Sequence, residues 1–258
     1  SGGLAAEAIA NMHDRGNGLG GGFAALGFRH LIRLVQRIAY GTWAFDLDTV
    51  RAVPWHILIF IPAMGGLLIG PLVFRLAREA KGHGVPEVME AVALRGGVIR
   101  TRLVLIKALA SAITIGTGGS VGREGPIIQI GSAFGSTVGQ MLRVSADRLK
   151  TLVGCGAAAG IAGTFNAPIA GALFALEVIL GEFGVSQFSP IVISSVVSTI
   201  VTRSLIGDTP AFIVPSYELV SAYEMLPYAI LGLAAGVVGV VFSVALYKAE
   251  DGFDALPI

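Results

Sequence analysis

The sequence predicts an all-α, polytopic membrane protein whose helices are broken and re-entrant rather than continuous. Three observations carry this expectation. Hydrophobic residues make up 54% of the 258-residue chain and charged residues only 14%, against about a quarter charged in an ordinary soluble domain; mean hydropathy is +0.77. Apolar runs long enough to cross a bilayer alternate with runs that are too short to do so. Each short run begins at a proline preceded by a glycine-containing loop.

Taken in order, residues 1–22 (SGGLAAEAIANMHDRGNGLGGG) are Gly-rich and polar and are expected to be a cytoplasmic or interfacial lead-in. Residues 23–258 form the expected transmembrane domain. The chain opens at Ser1 with neither Met nor a signal-peptide pattern and stops shortly after an apolar run, so it reads as a fragment whose natural N-terminus is missing. Full-length spans are expected at 23–41, 55–74, 103–119, 189–206 and 228–247. Between them, 85–94 is too short to cross, and 126–142 and 168–180 are borderline. These three begin at Pro86, Pro126 and Pro168. Proline suits the first turn of a helix because its missing N–H would be unpaired there anyway. The chain is thus expected to enter the membrane, unwind and restart at each proline, a pattern that points to a transport site.

Other residues orient this frame. Arg75, Arg78, Lys81, Arg95, Arg100 and Arg102 flank the 85–94 run and mark the cytoplasmic side. Trp43 and Trp55 bracket the first connection as an aromatic belt does. Arg29, Arg33 and Arg37 share one helix face and read as a snorkelling stripe. Gly131, Gly135 and Gly139 recur at the four-residue step that lets helices approach closely in lipid. A net charge of +1 argues against nucleic acid as a partner. The single cysteine, Cys155, excludes a disulfide framework and reads as a small packing residue. His13, His30 and His56 lack metal-ligand spacing, and no cofactor is expected.

The chemistry lies at the restarts. A helix start offers unpaired N–H groups and the positive end of the peptide dipole, an anion site built from backbone alone. Two such starts, Gly82, His83, Gly84, Val85 and Pro86 in one loop, and Arg123, Gly125, Pro126, Ile127 and Ile128 in the other, could aim at one point. They would hold a partly dehydrated anion weakly enough to release it. Glu124 then acquires a role. Its carboxylate competes with the anion for the same N–H groups, and its protonation or displacement opens the path. The alternative is a structural ion pair with Arg123.

GHGVPEVMEAV, then GREGPIIQIGS, then GTFNAPIAGALFALE, in this order and spacing, resemble the CLC family of chloride channels and chloride/proton exchangers. The resemblance covers nearly the whole chain. It implies inverted helical repeats, of which the first and the start of the second would be present here. It also implies a homodimer in the cell membrane with one anion pathway per subunit, an inner anion site at Gly82–Pro86, and Glu124 as the gating glutamate. The segments ALFALEVIL and SPIVISSVVSTIV resemble the family's subunit contact. Three departures qualify this. His83 stands where the family usually has a serine whose hydroxyl donates to the anion; either the imidazole donates instead or backbone N–H groups bind alone. Val178 stands where the family's exchangers carry a proton-relaying glutamate, and Glu177 is one helical step, about 100°, away. The family's second half, with a further anion loop and an inner tyrosine, is absent, and Tyr217, Tyr223, Tyr228 and Tyr247 lie in no matching motif. The expectation is voltage- or pH-gated transport of chloride or a similar small anion, passive rather than tightly coupled. A proton antiporter with a non-standard relay is the alternative. An intramembrane enzyme is a further one, but no Ser/His pair, HExxH or paired carboxylates support it, so no enzymatic activity is expected.

Overall fold

A computed structural model of the chain describes residues 2–43, 47–76, 84–207 and 221–254. Every described element is helical. In the first unit, Ser1–Phe212, the order is α1 (Gly2–Tyr40), α2 (Leu47–Ala52), α3 (Trp55–Leu76), α4 (Val85–Leu94), α5 (Thr101–Gly116), α6 (Glu124–Met141), α7 (Ala146–Phe165), α8 (Pro168–Phe174) and α9 (Val185–Ile206). A π-helical turn, Ala175–Leu180, prolongs α8. The second unit, Ile213–Ile258, holds a single turn at Ala222–Glu224 and α10, Met225–Asp254.

The three proline restarts are present. Pro86 and Pro168 occupy the opening positions of α4 and α8, and Pro126 lies in the first turn of α6. By length and composition Trp55–Arg75, Val185–Ile206 and Met225–Ala249 can cross a membrane. The expected span at 103–119 is shorter than predicted. Its helix stops at Gly116 after 16 residues, about 24 Å at 1.5 Å per residue, because the chain turns there through Gly118 at φ 91°. At the other end, α1 continues without a break through residue 22, where the lead-in was expected to finish.

The centre of the first unit is α7, which lies outside the spans expected from hydropathy. All of its residues from Leu152 to Gly163 are buried, and nearly all are Gly, Ala or another small residue. Small side chains let neighbouring backbones touch, which is how helices associate where lipid removes the hydrophobic drive. A methyl on Gly131 or Gly135 of α6 would collide with the Gly156 or Leu152 carbonyl, and one on Gly160 would stand 2.9 Å from the carbonyl of Ile127. On the other side of α7, Ser194 and Ser198 of α9 donate to the Cys155 and Ala159 carbonyls at 2.9 and 2.6 Å. Larger apolar groups close the layer where α4, α6, α7, the π turn and α9 meet, with Val88, Ile128, Val153, Leu176, Ile179 and Ile191 buried together. Cys155 is part of this packing, as expected. The π turn leaves Glu177 exposed and Val178 half-buried.

Candidate anion site

The starts of α4 and α6 meet. Gly84 precedes α4 at φ 82°, a left-handed conformation that favours glycine. A Cβ there would lie 3.0 Å from the Gly125 carbonyl oxygen. Both starts open on one cavity of about 280 Å³, lined by Gly84 from the first loop, by Gly122, Glu124, Gly125 and Pro126 from the second, and by Lys107, Ser111 and Gln129. Within α4 the first intrahelical amide bond is Val88 N–H to the Gly84 carbonyl at 3.3 Å, and within α6 it is Ile127 N–H to the Arg123 carbonyl at 3.2 Å. The N–H groups ahead of these bonds, on Val85 and Glu87 and on Glu124 and Gly125, belong to the orphan set that every helix start leaves over. The geometry therefore brings two helix starts, each with unpaired N–H groups, onto one cavity.

Glu124 is the first residue of α6. Its carboxylate folds back over Gly122 and makes no hydrogen bond or ion pair with a described residue. It is exposed. Arg123 does not pair with it. The two side chains line different cavities on either side of the α6 start, Glu124 the one above and Arg123 a second.

Other expected site residues fall elsewhere. Gly82 and His83 lie outside the described residues. Val85 packs against the apolar layer and Pro86 is exposed. Arg123, Ile127 and Ile128 were expected beside the anion, but none of their side chains reaches this cavity. Arg123 and Ile127 line the second cavity, Ile128 is buried in the core, and the Ile127 N–H is already bonded within the helix. The reason is rotational: consecutive helical residues point about 100° apart, so a run of five cannot share one face.

Two residues of α5 were not read from the sequence at all. Lys107, 9% exposed, projects into the cavity wall and its Nζ donates to Glu87 Oε1 at 2.6 Å. Glu87 Oε2 accepts from Gln129 Nε2, so one α4 carboxylate ties α4, α5 and α6 together. Gln129 Oε1 remains buried without a partner among the described residues. The Ser111 hydroxyl faces the same cavity and makes no hydrogen bond to a described residue. Lys107 carried a signal, a lone cation inside an apolar run, which is a functional pointer in membrane segments. Ser111 carried none.

Among the described residues no cluster of His, Cys, Asp or Glu could hold a metal ion. His30 and His56 are exposed, and His56 meets Trp55 edge-on, ring centroids 6.0 Å apart.

A profile describing voltage gated chloride channels matches residues 65–258. The chain belongs to the CLC family. It is 35% identical over 240 residues to a chloride channel protein described as ClcB-like from Ralstonia nicotianae, covering 92% of this chain and 56% of that protein. It is 33% identical over 205 residues to the H(+)/Cl(-) exchange transporter ClcA of Vibrio parahaemolyticus, covering 78% of this chain and 44% of that protein. The chain thus spans about half the length of these curated relatives. Among solved structures, a slow cyanobacterial Cl−/H+ antiporter superposes with a TM-score of 0.81 at 24% identity, over 96% of this chain and 59% of that one, a likeness of fold. CLC membership establishes the chain as an integral membrane protein of the all-α class with broken helices.

Proposed function

We propose that the protein carries chloride or a similar small anion across the membrane through the cavity where α4 and α6 meet, with Glu124 as its gate, and that it is a transporter rather than an enzyme. The observation that carries this reading is the convergence of two helix starts, at Gly84 and Gly125, on one cavity that also receives the unpaired Glu124 carboxylate. Backbone N–H groups and the positive dipole ends attract an anion without the tight hold of a full charge. The Lys107 cation adds to the attraction but is tempered by its bond to Glu87. The Ser111 hydroxyl is a donor available to the anion as it passes.

Transport is passive in this reading, with pH or voltage acting through the occupancy of the gate. Its support is Val178, which cannot carry a proton at the position where exchangers of the family relay one. Proton-coupled exchange is the second reading, and specific observations favour it: one similar relative is named an H(+)/Cl(-) exchange transporter and a similar fold belongs to a Cl−/H+ antiporter. It requires a proton route that bypasses residue 178. The reading also includes a homodimer joined through α8 and α9, whose Ile169, Leu173, Val196 and Ile200 leave an apolar face exposed. Reversal potentials of the full-length protein under crossed chloride and pH gradients separate the two. A potential set by chloride alone supports passive transport. A potential shifted by the pH gradient at fixed stoichiometry supports exchange, and absence of any anion flux overturns both.

A further inference from the structure

The second cavity lies across the α6 start from the gate and shares no lining residue with the first. Its volume is about 340 Å³, many times what one water or halide fills and within the range of small-molecule sites. Arg29 and Arg33 from α1 and Arg123 from the α6 start all line it. The charges of Arg33 and Arg123 both bear on Arg29. Among the described residues that line the cavity there is no carboxylate, and none of the three guanidiniums makes a hydrogen bond or ion pair with a described residue. The Gln36 amide adds a further donor to the wall, and Trp43 closes one side, held by Arg37 stacked 4.4 Å above its ring.

Three like charges converging on one partly enclosed space repel one another, and a low-dielectric surround strengthens that repulsion. A snorkelling stripe would spread such charges outward into water or headgroups. Here two of the three α1 arginines turn instead toward Arg123. Guanidinium is planar, with N–H donors set in a fork that matches the oxygens of a phosphate. A halide has no oxygens to engage several forks at once and is too small to bridge them across this volume.

We propose that this cavity is a binding site for a phosphate group, distinct from the anion path, held by Arg29, Arg33 and Arg123. The phosphate can belong to a soluble phosphorylated solute or to an anionic phospholipid headgroup, since the chemistry that recognises it is the same. The site is independent of the proposed transport activity, because its evidence is a separate set of side chains and its test reads binding, not flux.

Trp43 supplies the readout. In the full-length protein with every tryptophan other than Trp43 replaced by phenylalanine, reconstituted in phosphatidylcholine vesicles, inorganic phosphate should change Trp43 fluorescence saturably, while chloride at equal ionic strength should not. Arg29→Gln and Arg33→Gln should each weaken the response at least tenfold, and His30→Gln, on the same helix but outside the cavity, should leave it unchanged. The same titration in phosphatidylglycerol vesicles identifies the source. A blunted phosphate response means that the lipid headgroup already occupies the site, and an undiminished one means that a soluble phosphate is its ligand. No saturable response in phosphatidylcholine, an equal response to chloride, or a response unchanged in both arginine variants overturns the proposal.

Discussion

Lys107→Met offers a quantitative test of the site's framework. The Lys107 Nζ and Glu87 Oε1 are 2.6 Å apart, with the two side chains 11% and 24% exposed. At that distance and an effective dielectric of about 20, their attraction is roughly 6 kcal/mol. Removing both charges from water offsets most of it, so the pair as a unit contributes little net stability. Removing the lysine alone is different, because it leaves the partly buried Glu87 carboxylate with only Gln129 among the described side chains to donate to it. Breaking such a pair costs about 3–5 kcal/mol; the residual exposure of Glu87 puts the expected value near 3 kcal/mol, at the lower end of that range. Adding Glu87→Gln to Lys107→Met removes the stranded charge and should restore at least half of the loss. Equilibrium unfolding in detergent of the wild type, both single variants and the double variant gives the coupling directly. A double variant as unstable as the sum of the two singles refutes the argument, since it would mean the two groups do not stabilise one another.

Three further outcomes follow from the same geometry. Gly84→Ala forces an L side chain into a left-handed conformation and against the Gly125 carbonyl; it should cost about 1–2 kcal/mol, and anion flux should fall because the two helix starts are pushed apart. Gly156→Ala drives a methyl into the Gly131 carbonyl and should destabilise by about 1–3 kcal/mol in the same unfolding assay, whereas Gly232→Ala, which meets nothing in α10, should cost nothing. Cysteines placed at Ile169 or Ile200 on the exposed α8–α9 face should cross-link two copies in membranes, and failure of both to give a dimer band would remove the proposed subunit contact.

What could be read from the sequence was the part governed by local backbone chemistry. Pro86, Pro126 and Pro168 announce helix starts because proline suits the first turn and each opens a short apolar run, whereas Pro62, Pro71 and Pro190 lie inside the longer α3 and α9. The glycines beside Pro86 and Pro126 announce the tight approach that Gly84 and Gly125 make. The periodic glycines of α6 announced close packing, although not the partner. That partner, α7, escaped because its Gly- and Ala-rich run gives little hydropathy, and its burial comes from the helices around it rather than from its own side chains. Arg29 and Arg33 looked like a stripe facing lipid headgroups, since spacing along a helix fixes which residues share a face but not what that face meets. Helical rotation separates the adjacent Arg123 and Glu124 in direction, but not what each then meets; the α6 start sends them to different cavities. Lys107 and Glu87 are 20 residues apart, and nothing local pairs them.

The account rests most heavily on Glu124 as a mobile anion mimic at the meeting of two helix starts, and Glu124→Gln tests it directly. The amide keeps the shape of the side chain but has no negative charge to set against a passing anion at the positive helix end. Chloride efflux from vesicles containing the full-length protein should accelerate in the wild type as pH falls and the carboxylate is neutralised. In the Glu124→Gln protein it should be fast at every pH and nearly flat across the same range. A Glu124→Gln protein that folds and conducts yet keeps the wild-type pH response would contradict the account and put the gate at another residue.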